Sequence, residues 1–304
     1  MTSARNGTGY LVGLIGSGIG TSLTPALHER EADALGIRYL YRVLDIDSLG
    51  VPARAVGDLV TATRLAGYDG LNVTHPVKQL VLDHLDELSP GAEAVGAVNT
   101  VVFSGGRSVG HNTDLTGFSR AMSTGLPGVS LDRVVLLGAG GAGSALGHAL
   151  LSLGVGNLVI LDLEPSRAET LAAALATRFG ADRATARRLD DSGAPAESIL
   201  DADGLVHASP TGMEGHPGLA LSPELLRPGL WVADIVYRPL ETELLHAARA
   251  AGCAVLDGGR MASFQAADTF RIITGLEPDP DRMLRHFDEI ARNTTVGRQN
   301  LAHG

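Results

Sequence analysis

The sequence has few of the residues that form disulfide bonds or carry positive charge. Cys253 is the only cysteine among 304 residues, which excludes an internal disulfide bond and a thiolate metal cluster and fits a reducing compartment. The formal net charge of −10 argues against nucleic acid or an anionic membrane as a partner. The segment before Tyr10 lacks the apolar core of a signal peptide, so we expect a cytoplasmic protein.

Long uninterrupted hydrophobic runs are also missing. The most apolar stretch, residues 134–161, is interrupted by glycines, by His148 and by Asn157, which favours a strand, a helix and a second strand over a membrane span. A hydrophobic content of 44% and a charged content of 19% are typical of globular proteins. The length is sufficient for two domains of ordinary size.

Lysine is the scarcest basic residue. Lys78 is the only lysine, and the rest of the 24 Lys and Arg residues are arginine. An arginine cannot release its proton near neutral pH, whereas burial and neighbouring charges can tune a lysine amine to do so. Lys78 therefore indicates a position where the chemistry or compact shape of the ammonium matters. The alternative interpretation is that Lys78 has no special function and has remained by chance on the surface of a helix. The polar residues Asn72 and Thr74, which lie just before it near the end of a short apolar strand, favour a functional site.

Short β-rich runs alternate with helical patterns, which predicts parallel α/β layers. We predict strands at residues 10–15, 39–44, 70–73, 97–103, 108–111, 134–137, 158–161, 204–208, 231–235 and 254–256. We predict helices at residues 51–66, 166–178, 241–251, 260–274 and 281–292, with two more beginning at Pro25 and Lys78 and one following the glycine loop through residue 153. Thr24 is the expected N-cap before Pro25, the residues between 103 and 108 are expected to form a hairpin turn, and those from 293 onward are expected to form a frayed tail.

A glycine loop follows the strand predicted at residues 134–137. Its GxGxxG pattern predicts a turn whose backbone N–H groups approach a pyrophosphate at the positive end of a helix. The loop residues are Gly138, Ala139, Gly140, Gly141, Ala142 and Gly143. Asp162, which follows the next strand, is placed to bind ribose hydroxyls and would repel a 2′-phosphate, so it favours NAD over NADP. Arg167 could weaken that preference, or it could simply pair with Glu164 or Asp162.

The remaining candidate residues carry hydroxyl or amide groups at predicted strand ends and helix starts, where α/β sheets bind ligands. They are Ser22, Thr24, Asn72, Thr74, Asn99, Thr100, Asn112, Thr113 and Gln265, together with Asp114. Such a set suits a polyhydroxylated small molecule. No nucleophile–histidine pair and no metal cluster stands out in the sequence. Each residue taken alone could instead be a helix cap or a turn residue.

Together these motifs resemble the shikimate dehydrogenase family. The resemblance is carried by residues 22–25, 70–78, 97–100 and 110–114, by the glycine loop, and by Met261 with Gln265. Within the family the sequence is most similar to the NAD-dependent quinate/shikimate dehydrogenases. Thr24 stands where the biosynthetic pattern has a second serine, and Asp162 with Leu163 replaces the Asn-Arg-Thr that binds the NADP phosphate. The segment from His207 also differs, because family members usually begin it with Asn-Ala-Thr.

The resemblance implies an α/β fold with two parts. A Rossmann-type NAD-binding domain would occupy residues 114–264, and a discontinuous α/β substrate-binding domain would combine residues 1–113 and 265–304. The implied reaction is reversible hydride transfer between the ring C3 hydroxyl of quinate or shikimate and NAD, within the shikimate pathway of aromatic amino acid biosynthesis. The expected substrate is a small polyhydroxy carboxylate, and the expected assembly is a monomer or homodimer.

The resemblance also implies roles for individual residues. Lys78 and Asp114 would form the catalytic pair. The substrate carboxylate would be bound by Ser22 and Thr24, and the rest of the substrate by Asn72, Thr74, Lys78, Asn99, Asp114, Tyr237 and Gln265. The cofactor would contact the six loop residues together with Asp162, Arg167, Ser209, Thr211, Met213, Val236, Gly258 and Met261. Alternative functions are a dehydrogenase for an aminoshikimate-type analogue and a non-catalytic ligand-sensing module.

Overall fold

The computed structural model of the protein describes residues 9–189 and 196–301, with side chains described as far as Asn293. The described chain separates into two compact units. The first unit contains the described residues up to Thr113 and those from Gln265 onward, and the second unit is Asp114–Phe264. Each unit is built around its own six-stranded sheet.

The first unit has a mixed sheet. Its strands are β1 (Tyr10–Gly16), β2 (Tyr39–Asp45), β3 (Gly70–Val73), β4 (Glu87–Leu88), β5 (Thr100–Ser104) and β6 (Arg107–His111), in the order β2-β1-β3-β5-β6-β4. Strand β5 runs antiparallel to both of its neighbours. The turn between β5 and β6 has positive φ angles of 60° and 79° at Gly105 and Gly106, which suits a two-residue hairpin. The predicted hairpin is therefore confirmed.

Helices cover this sheet and bury its apolar side chains. The helices are α1 (Thr24–Ala34), α2 (Ile46–Leu49), α3 (Val56–Leu65), α4 (Pro90–Val95), the C-terminal part of α10 (Gly258–Thr274) and α11 (Pro280–Leu301). One hydrophobic core includes Ile15, Leu71, Val73 and Val101 from three adjacent strands. Alternate strand residues reach this core because successive side chains point to opposite faces of a sheet.

The second unit has a wholly parallel sheet. Its strands are β7 (Arg133–Leu137), β8 (Asn157–Asp162), β9 (Ala184–Arg188), β10 (Gly204–His207), β11 (Trp231–Asp234) and β12 (Ala254–Leu256), in the order β12-β11-β10-β7-β8-β9. Its helices are α5 (Asp114–Gly125), α6 (Gly141–Ser152), α7 (Pro165–Phe179), α8 (Ala196–Leu200), α9 (Glu243–Ala250) and the first part of α10. The chain reverses its direction of winding between β7 and β10. In sheets of this kind ligands bind beyond the carboxyl ends of the strands at that reversal.

The helix predicted to begin at Lys78 is wrong. Residues 78–85 form consecutive turns and a short 3₁₀ helix, Leu82–His84. The Lys78 carbonyl accepts the N–H of Val98 at 2.9 Å, whereas an α-helix would require it to accept the N–H of Leu82. Leu82 bonds to Gln79 instead, at 3.3 Å. The carbonyl of Lys78 therefore accepts a hydrogen bond from Val98, a distant residue, in place of the hydrogen bond that would continue a helix.

Three helix boundaries also differ from the prediction. Helix α1 begins at Thr24 with Leu23 as its N-cap, so Thr24 is already helical and the predicted cap is wrong. The helix predicted at residues 51–66 is a 3₁₀ turn, Ala53–Ala55, followed by α3. Helix α11 continues to Leu301, so the tail predicted from 293 is wrong as far as that residue. No proline interrupts the sequence there, and the helix can therefore continue.

None of the helices among the described residues is both long enough and apolar enough to cross a bilayer.

A buried ion pair ties helix α11 to helix α1. Glu31 on α1 has no exposed side-chain surface, and Arg282 donates to its two oxygens at 2.9 and 2.6 Å. The backbone N–H of Asp279 donates to the same carboxylate at 2.8 Å. These hydrogen bonds raise the pKa of Arg282. Both ends of the pair are thus satisfied, which a buried charge requires.

We predict that Glu31→Gln lowers the free energy of unfolding by about 2 kcal/mol, because it removes the charge that compensates Arg282. Denaturant unfolding followed by circular dichroism measures the change. The matched control is Glu289→Gln, which breaks the exposed pair with Arg30 (3.1 Å) and should cost less than about 0.5 kcal/mol. Equal losses in the two variants would contradict the structural role of Glu31.

Candidate active site

Asn72 is held in a fixed orientation in the first unit. It lies on β3 with only 5% of its surface exposed. The Tyr41 hydroxyl donates to Asn72 Oδ1 at 2.6 Å, and Asn72 Nδ2 donates to the carbonyl of Asn99 at 3.3 Å. The oxygen and the nitrogen of the amide are therefore distinguished by their partners. Sequence reasoning missed Tyr41, because strand β1 lies between its strand and β3.

A cluster of rings fixes the position of Tyr41. Its ring centroid is 5.3 Å from that of His28, and Tyr39 stacks on Phe270 at 5.4 Å. The Tyr39 hydroxyl lies 3.1 Å from His28 Nδ1. Burial lowers the pKa of His28 to about 3, so its ring is neutral at physiological pH. A neutral, packed cluster restrains the tyrosine that orients Asn72.

Asn99 is the centre of a second buried network in the first unit. Its Nδ2 donates to Thr113 Oγ1 at 2.8 Å, and its Oδ1 accepts the backbone N–H of Thr113 at 2.8 Å. Gln265 Oε1 lies 3.4 Å from both Asn99 Nδ2 and Thr113 Oγ1. The hydroxyl of Thr269 lies 2.7 Å from that of Thr100 and 3.0 Å from that of Thr113. The predicted residues Asn99 and Gln265 are thus brought together, and Thr269 is a member that the sequence did not indicate.

The loop before helix α1 lies against the segment that follows β3. A side chain at Gly16 would overlap the Thr74 methyl group, so only glycine permits this approach. The N–H of Ser17 donates to the carbonyl of His75 at 3.0 Å. The loop leads to Ser22 Oγ, which accepts the N–H of Thr24 at 3.3 Å. Ser22 and Thr24 therefore follow a loop that is anchored beside Thr74.

Lys78 is partly exposed, and its carbonyl binds Val98, the residue before Asn99. Asp114 is the first residue of α5 in the second unit and is 5% exposed. A carboxylate in the first turn of a helix is stabilised by the helix dipole. Tyr237 follows β11 in the second unit and is also partly exposed.

The glycine loop forms the turn between β7 and α6 in the second unit. Gly138 has a φ of 100° and donates its N–H to the carbonyl of Leu161 at 2.8 Å. Gly140 is the N-cap of α6, and the N–H of Ser144 donates to its carbonyl at 2.8 Å. A side chain at Gly143 would overlap the carbonyl of Gly138. Gly138 and Gly143 thus each have a steric reason, whereas nothing in the described part of the chain lies within 4 Å of a Cβ added at Gly140.

Asp162 is bound to the glycine loop itself. Its Oδ2 accepts the N–H of Ala139 at 2.7 Å, and its Oδ1 accepts the N–H of Glu164 at 2.9 Å. Arg167 pairs with Glu164 at 3.0 Å, which is one of the pairings that the sequence left open. The carboxylate therefore has a structural role in addition to the predicted role toward the ribose.

The remaining predicted cofactor residues lie on the loop after β10 and near α10. A Cβ at Gly138 would lie 3.1 Å from the N of Ser209, so this loop packs against the glycine turn. A Cβ at Gly258 would lie 2.6 Å from the carbonyl of Val236, which places these two residues together. Met261 on α10 is buried. Of the others, Thr211 is partly exposed and Met213 is exposed.

The structure reveals a hydroxyl–histidine contact that the sequence did not indicate. His207 Nε2 lies 2.6 Å from Ser209 Oγ, and His207 Nδ1 lies 2.9 Å from Asp234 Oδ1. Asp234 is 27 residues from His207 in the sequence and became recognisable only when β10 and β11 were paired. No such contact stood out in the sequence, because His207 and Asp234 meet only through the pairing of two strands.

We predict different outcomes for two glycines of the same loop. Gly143→Ala should lower the free energy of unfolding by about 1–3 kcal/mol, because the new methyl group displaces the Gly138 carbonyl. Gly140 has an ordinary φ of −76°, and no described residue lies within 4 Å of a Cβ added there. Gly140→Ala should therefore keep the stability to within about 0.5 kcal/mol but weaken dinucleotide binding at least ~10-fold, because a methyl group blocks the approach of the pyrophosphate.

Thermal unfolding and isothermal titration calorimetry separate these two effects. Dinucleotide binding by Gly140→Ala at wild-type affinity would remove this turn from the cofactor site.

Comparison with known proteins identifies close relatives. The family model for the shikimate dehydrogenase substrate binding domain matches residues 14–101. A protein of Streptomyces avermitilis named shikimate dehydrogenase (NADP(+)) is 62% identical over 287 residues, which cover 94% of this chain and 98% of the relative. A protein of Corynebacterium efficiens named quinate/shikimate dehydrogenase (NAD(+)) is 48% identical over 283 residues, which cover 93% and 99% of the two chains.

Solved structures give the same result. The quinate dehydrogenase from Corynebacterium glutamicum in complex with NAD is 46% identical and superposes with a TM-score of 0.84, covering 92% of this chain and 99% of that one. The shikimate 5-dehydrogenase of Thermus thermophilus in complex with NADP(H) and shikimate is 35% identical, with a TM-score of 0.79 and coverage of 92% and 99%. These similarities confirm the predicted fold class, with a Rossmann domain and a substrate-binding domain. The chain belongs to the shikimate dehydrogenase family.

Proposed function

We propose that the protein is an NAD-dependent quinate/shikimate dehydrogenase, which transfers hydride reversibly between the ring C3 hydroxyl and the nicotinamide. The observation that carries the proposal is the buried amide network of the first unit, in which Asn72, Asn99 and Gln265 are preoriented beside the only lysine-bearing segment. Amides of fixed orientation suit a ring with several hydroxyl groups, because each hydroxyl both donates and accepts a hydrogen bond.

The substrate carboxylate would be bound by the hydroxyls of Ser22 and Thr24. The ring hydroxyls would be bound by Asn72, Thr74, Asn99, Asp114 and Gln265, with Tyr237 as a further contact. Thr24 replaces a serine of the family pattern, and its branched Cβ restricts the directions available to its hydroxyl. We propose that this restriction reshapes the carboxylate pocket so that quinate, with its tetrahedral ring carbon, is turned over alongside shikimate.

The second unit fits a nicotinamide dinucleotide. Gly140 offers no side chain at the N-terminus of α6, where backbone N–H groups and the helix dipole favour a pyrophosphate. The proposed contacts are the loop residues with Asp162, Arg167, Ser209, Thr211, Met213, Val236, Gly258 and Met261. When bound, the nicotinamide supplies the hydride acceptor or donor.

Lys78 is the proposed proton-transfer group. Oxidation of an alcohol requires a base, because the hydroxyl proton must leave as the hydride departs. The amine of Lys78 would accept that proton and, in the reverse direction, the ammonium would return it to the carbonyl oxygen. The carboxylate of Asp114 is proposed as its partner in the catalytic pair.

We predict that Lys78→Ala lowers kcat at least ~100-fold, which is the low end of the loss for a general acid–base group. The matched variant is Lys78→Arg, which keeps the positive charge but cannot release a proton at neutral pH. It should be impaired to a similar degree. Steady-state kinetics with saturating cofactor measure both. Recovery of activity in Lys78→Arg would show that only the charge is needed.

The choice of NAD rests on Asp162. Its carboxylate follows β8 and would face the adenosine ribose, where a 2′-phosphate would be repelled. The 62% identical Streptomyces relative is named for NADP(+), which makes an NADP-dependent shikimate dehydrogenase the second candidate. Reduction assays with NAD and NADP on quinate, shikimate and an amino analogue test the whole proposal. Turnover of shikimate with NADP alone would favour the second candidate.

We predict that Asp162→Asn combined with Leu163→Arg raises the ratio of kcat/KM for NADP over NAD at least ~10-fold, because a repulsive charge is lost and an attractive one is gained. The asparagine oxygen can still accept the N–H of Ala139, and Leu163 is 66% exposed, so the loop should persist. Glu169→Gln is the control, since it removes an exposed charge on α7 and leaves the pair of Glu164 with Arg167 in place. An equal shift in this control would contradict the role of Asp162.

We further propose that the enzyme works in the cytoplasm as a monomer or homodimer. The proposed domain division is residues 1–113 with 265–304 for the substrate and 114–264 for the cofactor. The two compact units of the described chain support this division.

A further inference from the structure

A buried chain of hydrogen bonds links the loop after β10 to the strand β11. His207 and Asp234 are the last residues of these neighbouring parallel strands and are paired in register. His207 Nδ1 lies 2.9 Å from Asp234 Oδ1, and His207 Nε2 lies 2.6 Å from Ser209 Oγ. His207 and Asp234 are each only 1% exposed. Their side chains are therefore removed from water.

The direction of each hydrogen bond follows from the partners of Asp234. Its Oδ1 also accepts the N–H of Val236 at 3.0 Å, and its Oδ2 accepts the Thr242 hydroxyl at 2.7 Å. A carboxylate with these donors requires His207 Nδ1 to carry the proton. In a neutral ring Nε2 is then the acceptor, so the hydroxyl of Ser209 donates to it.

The same chain is anchored to a helix. The Thr242 hydroxyl oxygen accepts the N–H of Leu245 at 3.2 Å as the N-cap of α9. The negative charge of Asp234 lies next to this N-terminus, which the helix dipole favours. Ser209 is thus connected through His207 and Asp234 to a rigid element.

Ser209 belongs to the wall of the glycine turn. A Cβ at Gly138 would lie 2.9 Å from the carbonyl of Ala208 and 3.1 Å from the N of Ser209. The N–H of Ala208 donates to the carbonyl of Leu137 at 2.7 Å. Because this packing leaves no free space, a shift of Ser209 changes the surroundings of Gly138.

The arrangement resembles a hydrolytic triad but lacks a usual feature of one. The residue after a nucleophilic serine commonly donates its N–H to the oxyanion, and here that residue is Pro210, which has no N–H. The Ser209 hydroxyl could also donate to Thr211 Oγ1 at 3.2 Å, but its one proton serves the shorter contact with His207 Nε2 at 2.6 Å. These contacts indicate that the Ser209 hydroxyl is held in place by hydrogen bonds and does not act as a nucleophile.

We propose that His207 is a positioning residue for the dinucleotide, which acts by accepting a hydrogen bond from the Ser209 hydroxyl and so fixing residues 208–211 against the glycine turn. The proposal rests on the proposed dinucleotide function of the second unit. In this proposal Asp234 accepts a hydrogen bond from Nδ1–H of His207 and so selects the tautomer in which Nε2 can accept a hydrogen bond from Ser209.

Two substitutions of His207 separate its two contacts. In His207→Asn the shorter amide can still donate to Asp234 but does not reach Ser209. In His207→Gln the longer amide places an oxygen near the position of Nε2 and can accept from Ser209. Both variants lose the ring, so weaker dinucleotide binding in His207→Asn alone assigns the effect to the contact with Ser209. Ser209→Ala, at a partly exposed position, is the second variant should His207→Asn fail to fold.

The dissociation constants of NAD and NADP are measured by isothermal titration calorimetry without substrate, together with the melting temperature of each variant. We expect His207→Asn and Ser209→Ala each to weaken binding by at least ~5-fold, the effect of one hydrogen bond, and the double variant to be no weaker than either single one. His207→Gln should bind within about 2-fold of the wild type, because the acceptor for Ser209 is retained.

Three results would overturn the role of His207. They are unchanged binding in His207→Asn and Ser209→Ala, losses that multiply in the double variant, and hydrolysis of p-nitrophenyl acetate by the wild type that disappears in both single variants. A wild-type protein that binds neither dinucleotide would instead refute the proposed cofactor function itself. The measurements therefore distinguish a failure of the proposed role of His207 from a failure of the proposed dinucleotide binding.

Discussion

Carboxylates at the ends of parallel strands hold the loops on which the candidate site residues lie. Asp45, Asp162 and Asp234 are the last residues of β2, β8 and β11. Each accepts at least one backbone N–H from the loops at its edge of the sheet. A loop that leaves a strand has N–H groups without ladder partners, and charge-assisted bonds to a carboxylate are about twice as strong as neutral ones. The loops can therefore be rigid without being long or buried.

This arrangement gives each unit a different way to present polar groups. In the first unit, Asp45 accepts the N–H groups of Gly18 and Ile19 at 3.2 and 3.0 Å, which fixes the loop that leads to Ser22 and Thr24. In the second unit, the carboxylate of Asp162 fixes Ala139 in the glycine turn. The carboxylates of Asp45 and Asp162 thus support these loops through their backbone N–H groups.

The features that the sequence predicted are those encoded by neighbouring residues. The strand Ala254–Leu256 and the hairpin turn follow from local composition. The glycine loop is a contiguous motif with a steric reason at Gly138 and Gly143. The errors arose where a contact with a residue distant in sequence determined the local structure. The carbonyl of Lys78 accepts the N–H of Val98, and no helix forms there. The orientation of Asn72 depends on Tyr41, which lies on a strand two positions away in the sheet. Only strand pairing could show that Asp234 lies beside His207.

The proposed role of Asp162 toward the ribose would couple cofactor selection to the geometry of the glycine turn, because the same carboxylate accepts the N–H of Ala139. A charge that only discriminated between ribose and ribose phosphate could be lost without structural consequence. Truncation of this side chain would leave the N–H of Ala139 without its acceptor, and an unpaired buried donor costs about 1–3 kcal/mol. Positive charge added nearby carries no such cost. Leu163 is exposed, and Arg188 on β9 is already paired in register with Asp162. In this architecture, affinity for a 2′-phosphate is therefore adjusted at less structural cost by cations around Asp162 than by its removal.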